Sequence, residues 1–132
     1  MKKRTDILAI LSSIESTNYS DVQSIDLLLE YGFRLTQWVA FSGEAMAEAK
    51  QELHAARRNA YLKVESSLNA QQKKWSPMLA KDYVNDCCSA ENAYYELCER
   101  ANRAATHSVD LVRTAISALK AEMQTSNFQT NA

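Results

Sequence analysis

Glycine and proline are so scarce in this chain that long helices are the regular structure it can most easily build. The 132 residues include two glycines and one proline. β-Hairpins and tight turns depend on these residues to reach their backbone angles. Hydrophobic residues make up 46% of the sequence, an ordinary share for one folded domain. The composition therefore predicts an all-α fold.

The spacing of apolar residues predicts a short N-terminal helix and turn in residues 1 to 19 and a long helix from about 21 to 72. Ser20 and Gln23 have the spacing of a capping box at the start of the long helix. Gly32 and Gly43 interrupt this helix, either as a break near residues 31 to 33 or as a close contact with a neighbouring helix. The three-and-four spacing of a coiled-coil seam is followed by Leu28, Tyr31, Leu35, Val39, Ser42, Met46, Ala49, Leu53, Ala56 and Ala60.

A clear helix start occurs at "WSP", where Ser76 is a good N-cap and Pro77 occupies the first helical position. We expect one helix from there to about residue 124. Four-residue steps from Leu97 to Val109 predict a stutter that relaxes the supercoil. The predicted seam is Tyr83, Cys87, Ala90, Tyr94, Leu97, Ala101, Ala105, Val109, Val112, Ile116, Leu119 and Met123.

Joined by the short connection at residues 73 to 76, the two long helices predict an antiparallel, coiled-coil-like helical hairpin spanning residues 20 to 124. Two helices alone bury little apolar surface, so we expect hairpins to pack side by side as a homo-oligomer. Residues 125 to 132 are expected to form a disordered tail. The large side chains beside the seams are Phe33, Trp38, Phe41, Leu62, Tyr95 and Leu111.

The metal-ligating residue types do not form a recognisable site in the sequence. A di-iron helical site needs Glu-x-x-His pairs, which are absent, so the repeat of Glu44, Glu48 and Glu52 predicts a solvated acidic face. Three cysteines and a histidine lie along one predicted helix and cannot converge within one subunit. We expect the cysteines to be reduced packing residues and no metal to be bound. These residues are Cys87, Cys88, Cys98 and His107.

Motifs for catalysis or membrane insertion are also missing from the sequence. There is no glycine-rich phosphate loop and no nucleophile turn, so we expect neither an enzyme nor a cofactor. No apolar run approaches the roughly 18 residues that a membrane span needs. The expected location is the cytoplasm, that of a bacterial host cell if the protein is encoded by a phage.

Positive charge is concentrated in residues 54 to 81, which hold six Lys or Arg and one acidic residue in a chain of net charge -1. The predicted hairpin places these cations at one end, together with two aromatic residues. Phosphates are attracted to such a patch, and aromatic rings stack on exposed bases at about 1 to 3 kcal/mol each. Alternatively, the cations offset a helix dipole and the rings plug the hairpin tip. The predicted nucleic-acid-binding residues are Arg57, Arg58, Tyr61, Lys63, Lys73, Lys74, Trp75 and Lys81.

The chain has, in this order, a helix ending in "ARRNAYLKVESSL", a polar break, the stretch "SPMLAKDYVNDCCSAENAYYEL" and a closing helix that ends in "VDLVRTAISALKAEM". This order of features resembles that of the UvsY-type recombination mediators of tailed phages. The resemblance covers roughly residues 25 to 124. It implies an oligomeric helical protein that binds single-stranded DNA and helps load a recombinase onto strands covered by single-strand-binding protein. The basic, aromatic stretch of the family corresponds to Arg57, Arg58, Tyr61 and Lys63. The longer, glycine-rich connection of the family is replaced by "NAQQKKW".

These observations favour a non-enzymatic recombination accessory protein whose partners are single-stranded DNA, further copies of itself, and a recombinase or single-strand-binding protein. A second hypothesis is a phage or mobile-element interaction module, such as a virion scaffold or an inhibitor of a host defence protein, that acts through apolar and acidic helix faces. A third is a purely structural coiled coil. Salt dependence separates the first two, because a basic patch loses DNA steeply as salt rises.

Overall fold

The computed structural model describes residues 1 to 71 and 74 to 130, and all regular structure within these ranges is helical. The helices are α1 (Arg4–Glu15), α2 (Ile25–Gln71), α3 (Pro77–Cys87) and α4 (Ser89–Thr130), with a 3₁₀ turn at Tyr19–Asp21 between α1 and α2. The all-α prediction is therefore confirmed. None of the described helices is long and apolar enough to cross a membrane.

The connection between α1 and α2 differs from the predicted capping box. Ser20 lies within the 3₁₀ turn, and α2 begins four residues later than expected, at Ile25. The cap is Ser24, whose Oγ accepts a hydrogen bond of 3.2 Å from the backbone N–H of Leu27. Tyr19 is 4% exposed and packs into the core, and its burial holds residues 19 to 21 in the turn rather than in the helix.

Helix α2 runs without interruption through both glycines, so no break occurs at residues 31 to 33. Both glycines face α4. A Cβ added to Gly32 would lie 3.5 Å from Val112 Cγ1, and one added to Gly43 would lie 3.5 Å from Asn102 Nδ2. These are ordinary van der Waals distances, so the two helices pack closely here without requiring glycine.

The helix predicted for residues 77 to 124 is divided at Cys88, whose φ of -106° and ψ of 17° fall outside the helical region. The start is confirmed, because Ser76 Oγ accepts a 3.2 Å hydrogen bond from Leu79 N–H and Pro77 is the first helical residue. Asn, Asp, Cys and Ser crowd the sequence around the division, and these are weak helix formers.

The division changes which residues face α2. Tyr83 and Cys87 were expected in the seam but are exposed, whereas their neighbours Val84 and Cys88 are buried. Ala90 and Met123, also expected in the seam, are exposed as well. The predicted stutter is absent, because the buried residues of α4 keep a regular four-and-three spacing: Tyr94, Cys98, Ala101, Ala105, Ser108 and Val112.

The end of the chain also differs from the prediction. The tail expected to be disordered from residue 125 continues α4 as far as Thr130, and residues 131 and 132 lie outside the described part. Residues 121 to 129 are exposed throughout. The last turns of α4 therefore extend beyond the packed core.

Three apolar clusters form the core of the described residues, and their composition shows how the helices pair. Near the start of α2, Leu28 and Leu35 pack with Val112. In the middle, Ala45 and Ala49 pack with residues 94 to 101 and with Ile7 and Leu11 of α1. Near the end of α2, Leu53, Ala60 and Val64 pack with Val84 and Cys88.

A partly buried polar contact lies between the first two clusters. Asn102 Nδ2 donates to the Val39 carbonyl at 3.0 Å and to Ser42 Oγ at 3.1 Å. Ser42 Oγ in turn donates to the Val39 carbonyl at 3.2 Å. Because a buried polar side chain is satisfied at only one alignment of two helices, this contact favours the observed register of α2 against α4.

Candidate nucleic-acid interface

The predicted nucleic-acid-binding residues lie where α2 ends and α3 begins, and we call this region the basic end. It comprises the second half of α2 from residue 57, residues 74 to 76, and α3. Lys73 belongs to the predicted set but lies outside the described residues. The other members are Arg57, Arg58, Tyr61, Lys63, Lys74, Trp75 and Lys81.

Three of these residues line a single groove at the basic end. Tyr61 comes from α2, Lys74 and Trp75 come from the connection, and the groove between them has a volume of about 340 Å³. Tyr61 is 46% exposed and Trp75 is 37% exposed. The structure thus places two accessible rings and one ammonium group around the same opening. The rest of the lining is Val64, Glu65, Leu68, Asn69 and Ala80.

A third aromatic ring, which the predicted site did not include, holds Trp75 in position. The rings of Trp75 and Tyr83 meet edge to face, with centroids 5.3 Å apart and an interplanar angle of 79°. Ser76 and Pro77 fix the chain between them by starting α3. Such a contact restricts the indole before any ligand arrives, which lowers the entropy lost on binding.

Tyr83 was identifiable as a neighbour of the site because it lies within the first two turns of α3, which begins just after Trp75. It was expected in the seam, but it is 45% exposed. A hydrogen bond with the Cys87 thiol raises the pKa of its hydroxyl above the ordinary value. The phenol therefore stays neutral at physiological pH and adds no charge to the basic end.

The cations of the basic end are mostly available to a ligand. Arg58, Lys63, Lys74 and Lys81 are exposed, and among the described residues none of them takes part in an ion pair. Exposed, unpaired cations are the groups from which phosphate can release counterions. Four positive side chains at this end therefore support binding of a polyanion.

Arg57 occupies a different environment from the other four cations. Its side chain is only partly exposed, and its Nε is buried without a hydrogen-bond partner. Glu91 Oε2 is likewise buried and unpartnered, and both charged groups act on Cys88. Burial, with a smaller contribution from Glu91, raises the pKa of the Cys88 thiol. Arg57 thus belongs to the packing between α2 and the α3–α4 division more than to the surface.

The acidic row on α2 is exposed, as expected, and it also forms ion pairs with the start of the chain. Lys3 Nζ lies 3.4 Å from Glu44 Oε1 and 3.1 Å from Glu48 Oε1, and the amino group of Met1 lies 3.2 Å from Glu52 Oε2. The hydrogen bond to Glu48 raises the pKa of Lys3. These ion pairs seat the start of α1 on α2.

The contrast between the two regions has an electrostatic consequence. Three carboxylates of the middle of α2 are matched by cations from the start of the chain, whereas the cations of the basic end have no such partners. The exposed cations therefore stay available beside the aromatic groove, and the acidic residues at the same end are Glu65, Asp82 and Asp86. Steering of an anionic ligand would favour this end of the molecule.

Among the described residues, no group of three or more His, Cys, Asp or Glu side chains is placed to hold a metal ion. Comparison of the chain with protein-family models, with curated proteins and with solved structures finds no match. The features that bear on function are therefore the residues of the basic end and the surfaces of the helices.

Proposed function

We propose that this protein is a non-enzymatic accessory protein that binds single-stranded nucleic acid at its basic end. The observation that carries the proposal is the groove that Tyr61, Lys74 and Trp75 line together. It combines accessible rings with a cation in one opening, and Arg58, Lys63 and Lys81 surround it with further positive charge. Rings that stack on bases and cations that contact phosphates are the two elements of single-strand binding.

The groove favours unpaired over paired strands. Bases within a duplex already stack on each other, so an aromatic side chain can reach their faces only after the strand is opened. Tyr61 belongs to α2, and Trp75 directly precedes Ser76, the N-cap of α3. The backbone that carries both rings is therefore ordered before a strand binds. Single-stranded DNA is our proposed ligand, in agreement with the resemblance to phage recombination mediators.

The proposal includes an architecture and an assembly. Helix α2 and the pair α3–α4 would act as an antiparallel, coiled-coil-like hairpin, with several copies associating so that their basic ends bind one strand. Linking several weak sites on one strand increases the overall affinity without any new contact. A recombinase or a single-strand-binding protein in the host cytoplasm would be the protein partner.

A second function is favoured by a different observation. Phe33 is 71% exposed and Met78 is 75% exposed, which are high values for large apolar side chains on helices. A protein-interaction module, such as a virion scaffold or an inhibitor of a host defence protein, would use such faces. Its binding would depend on apolar contacts and would change little with salt.

The deciding experiment is a titration of a fluorescently labelled single-stranded oligonucleotide, followed by anisotropy at several salt concentrations. If the four exposed cations each contact a phosphate, the logarithm of the association constant should fall with the logarithm of salt concentration with a slope of about -3. Replacing Arg58 and Lys74 by glutamate should reduce this slope and weaken binding at least tenfold. Unchanged affinity in that variant would contradict the assignment of the basic end.

A matched control separates site-specific effects from net charge. Lys50 and Lys120 are exposed and lie outside the basic end, so replacing both by glutamate produces the same change in net charge. This control should keep most of the affinity. Equal losses in the two double variants would show that DNA responds only to overall charge.

Stacking can be followed separately from charge. The chain has two tryptophans, and Trp38 packs against the core, so Trp38→Phe leaves Trp75 as the sole indole reporter. Addition of the oligonucleotide should quench its fluorescence, and Trp75→Ala in the natural chain should weaken binding by roughly fivefold or more. Binding without quenching would remove Trp75 from the interface.

A further inference from the structure

Phe33 lies beside a groove that no other side chain in the described part of the same chain fills. It lies on α2, is 71% exposed, and has Leu29 one turn before it at 44% exposed. The groove runs between α2 and α4 and has a volume of about 180 Å³. Its lining is largely apolar and consists of Leu28, Leu29, Gly32, Phe33, Thr36, Val109, Val112, Arg113 and Ile116. We call this surface the Phe33 groove.

The groove has the dimensions and the chemistry to take an aromatic ring. An apolar cavity of about 150 Å³ in a protein is large enough to bind benzene. Gly32 contributes to the opening because it carries no side chain over Val112. A phenyl ring entering from outside would therefore meet Val109, Val112 and Ile116.

The total surface of the chain indicates that some of it is covered in an assembly. The accessible surface is 9265 Å² for a mass of 14.9 kDa. A folded monomer of this mass typically exposes about 7,000 Å², so the chain exposes roughly 2,200 Å² more than a self-sufficient monomer would. Stable homodimers bury about 800 Å² or more on each partner, which this surplus can supply.

The charges around each exposed apolar surface determine whether it can pack against the same surface of a second copy. The apolar residues of the basic end, such as Met78, lie among unpaired cations, so two copies joined there would repel each other. The surroundings of the Phe33 groove carry both signs, with Glu30 and Arg34 on α2 and the Asp110–Arg113 pair, at 3.8 Å, on α4. A balanced rim allows a surface to face an identical surface.

We propose that a second copy of this chain occupies the Phe33 groove, with the two copies exchanging Phe33 reciprocally across a two-fold axis. The projecting ring and the opening lie side by side on one surface, so a single rotation satisfies both contacts. The interface specifies the self-association included in the proposed function, and it rests on that part alone. Its tests involve no nucleic acid, so their failure would leave binding at the basic end unaffected.

The first test is the oligomeric state by sedimentation velocity over a range of protein concentrations. The natural chain should form a dimer or a larger even-numbered assembly. Phe33→Ala should raise the dissociation constant of the pairwise contact at least 30-fold, the change expected for loss of a central aromatic anchor. Phe128→Ala removes an equally large ring that is 80% exposed and lies outside the groove, so it should change the constant less than threefold.

The second test asks whether the exchange is reciprocal. Thr36 is exposed and lines the groove, so Thr36→Glu places a charge in the opening without disturbing the core. Each variant alone should dissociate, but a mixture of Phe33→Ala with Thr36→Glu should associate again. One partner then supplies the Phe33 ring, and the other supplies a groove that lacks the introduced charge.

Three results would overturn the proposal. They are a natural chain that stays monomeric at the highest concentrations, a Phe33→Ala variant that associates like the natural chain, and a mixture that associates no better than its components. Circular dichroism should show equal helicity in all variants, because Phe33, Thr36 and Phe128 are exposed. If one variant loses helicity, Phe33→Ser and Thr36→Asp repeat the test at the same positions.

Discussion

The hydrogen bonds of Asn102 provide a quantitative test of how α2 and α4 are aligned. The amide Nδ2 donates to the Val39 carbonyl at 3.0 Å and to Ser42 Oγ at 3.1 Å, joining residues that are 63 and 60 positions apart. Asn102→Ala removes both bonds, and Ser42→Ala removes the second of them together with the bond from Ser42 Oγ to the Val39 carbonyl. The two substitutions share one interaction, so their effects should not be additive.

The expected magnitudes follow from the bond count. A typical hydrogen bond in a protein contributes about 0.5 to 1.5 kcal/mol net, so Asn102→Ala should lower the free energy of unfolding by about 1 to 3 kcal/mol. Ser42→Ala should also cost about 1 to 3 kcal/mol, because it removes the bond from Asn102 and the bond from Ser42 Oγ to the Val39 carbonyl. The double variant should be less destabilised than the sum of the two by about 0.5 to 1.5 kcal/mol, the value of the shared bond.

The assay is urea unfolding followed by circular dichroism at one fixed protein concentration, since any self-association adds to the apparent stability. Ser117→Ala is the control, because Ser117 is exposed on α4 and should change the free energy of unfolding by less than about 0.5 kcal/mol. A coupling energy of zero, with single effects that simply add, would refute the contact between Ser42 and Asn102 and with it the proposed register.

Three further predictions concern individual side chains. Gly43→Ala should raise the free energy of unfolding by about 1 kcal/mol, and the melting temperature by about 3 to 5 °C, because the new methyl group fits at van der Waals distance from Asn102. Destabilisation in thermal melts would mean that the helices pack more tightly. At pH 8, a thiol reagent should label the exposed Cys87 rapidly, and it should label Cys88 and Cys98 only on unfolding, because burial raises the pKa of both buried thiols. Rapid labelling of all three cysteines would contradict the burial of Cys88 and Cys98. Burial raises the pKa of Tyr94 to about 12, so the unfolded chain loses this proton at lower pH than the folded chain, and the free energy of unfolding should fall between pH 10 and 12. Tyr94→Phe should make that fall smaller. An identical pH profile of stability in the variant would exclude Tyr94 as a cause.

The sequence predicted the helical class and the start of α3 correctly because both depend on local chemistry. A proline preceded by serine satisfies the first amides of a helix wherever the rest of the chain lies. The start of α2 was predicted at the wrong serine for the opposite reason. Ser20 has the spacing of a cap, but burial of Tyr19 in the core keeps residues 19 to 21 in a 3₁₀ turn and leaves Ser24 as the cap.

The seam of the last helices shows a similar limit. Its prediction assumed one uninterrupted helix, and the division at Cys88 moves the buried positions before it from Tyr83 and Cys87 to Val84 and Cys88. Such a shift depends on which residues α2 presents to this region, and no pattern within α3 contains that information. The stutter was inferred from the same assumption and disappears with it.

For the candidate site, composition predicted the location of the charge better than the environment of each residue. Arg58, Lys63, Lys74 and Lys81 are exposed as expected, whereas Arg57, one position along the helix, turns toward Cys88 and Glu91. The pairing of the acidic row with Met1 and Lys3 could not be predicted either, because it depends on where α1 packs. The position of a short helix on two long ones is a tertiary property.

The pairing of α2 with its partners also determines the order in which the molecule can fold. Val64 and Val84 flank a short connection and pack in one cluster, so forming their contact closes only a small loop. Ser42 and Asn102 are 60 residues apart, and a contact between them is entropically expensive unless the intervening helices are already paired. Folding should therefore begin beside residues 64 and 84 and propagate toward the first turns of α2. The Phe33 groove would then form last during folding, and it would be the first part of the molecule to be lost under mild denaturant.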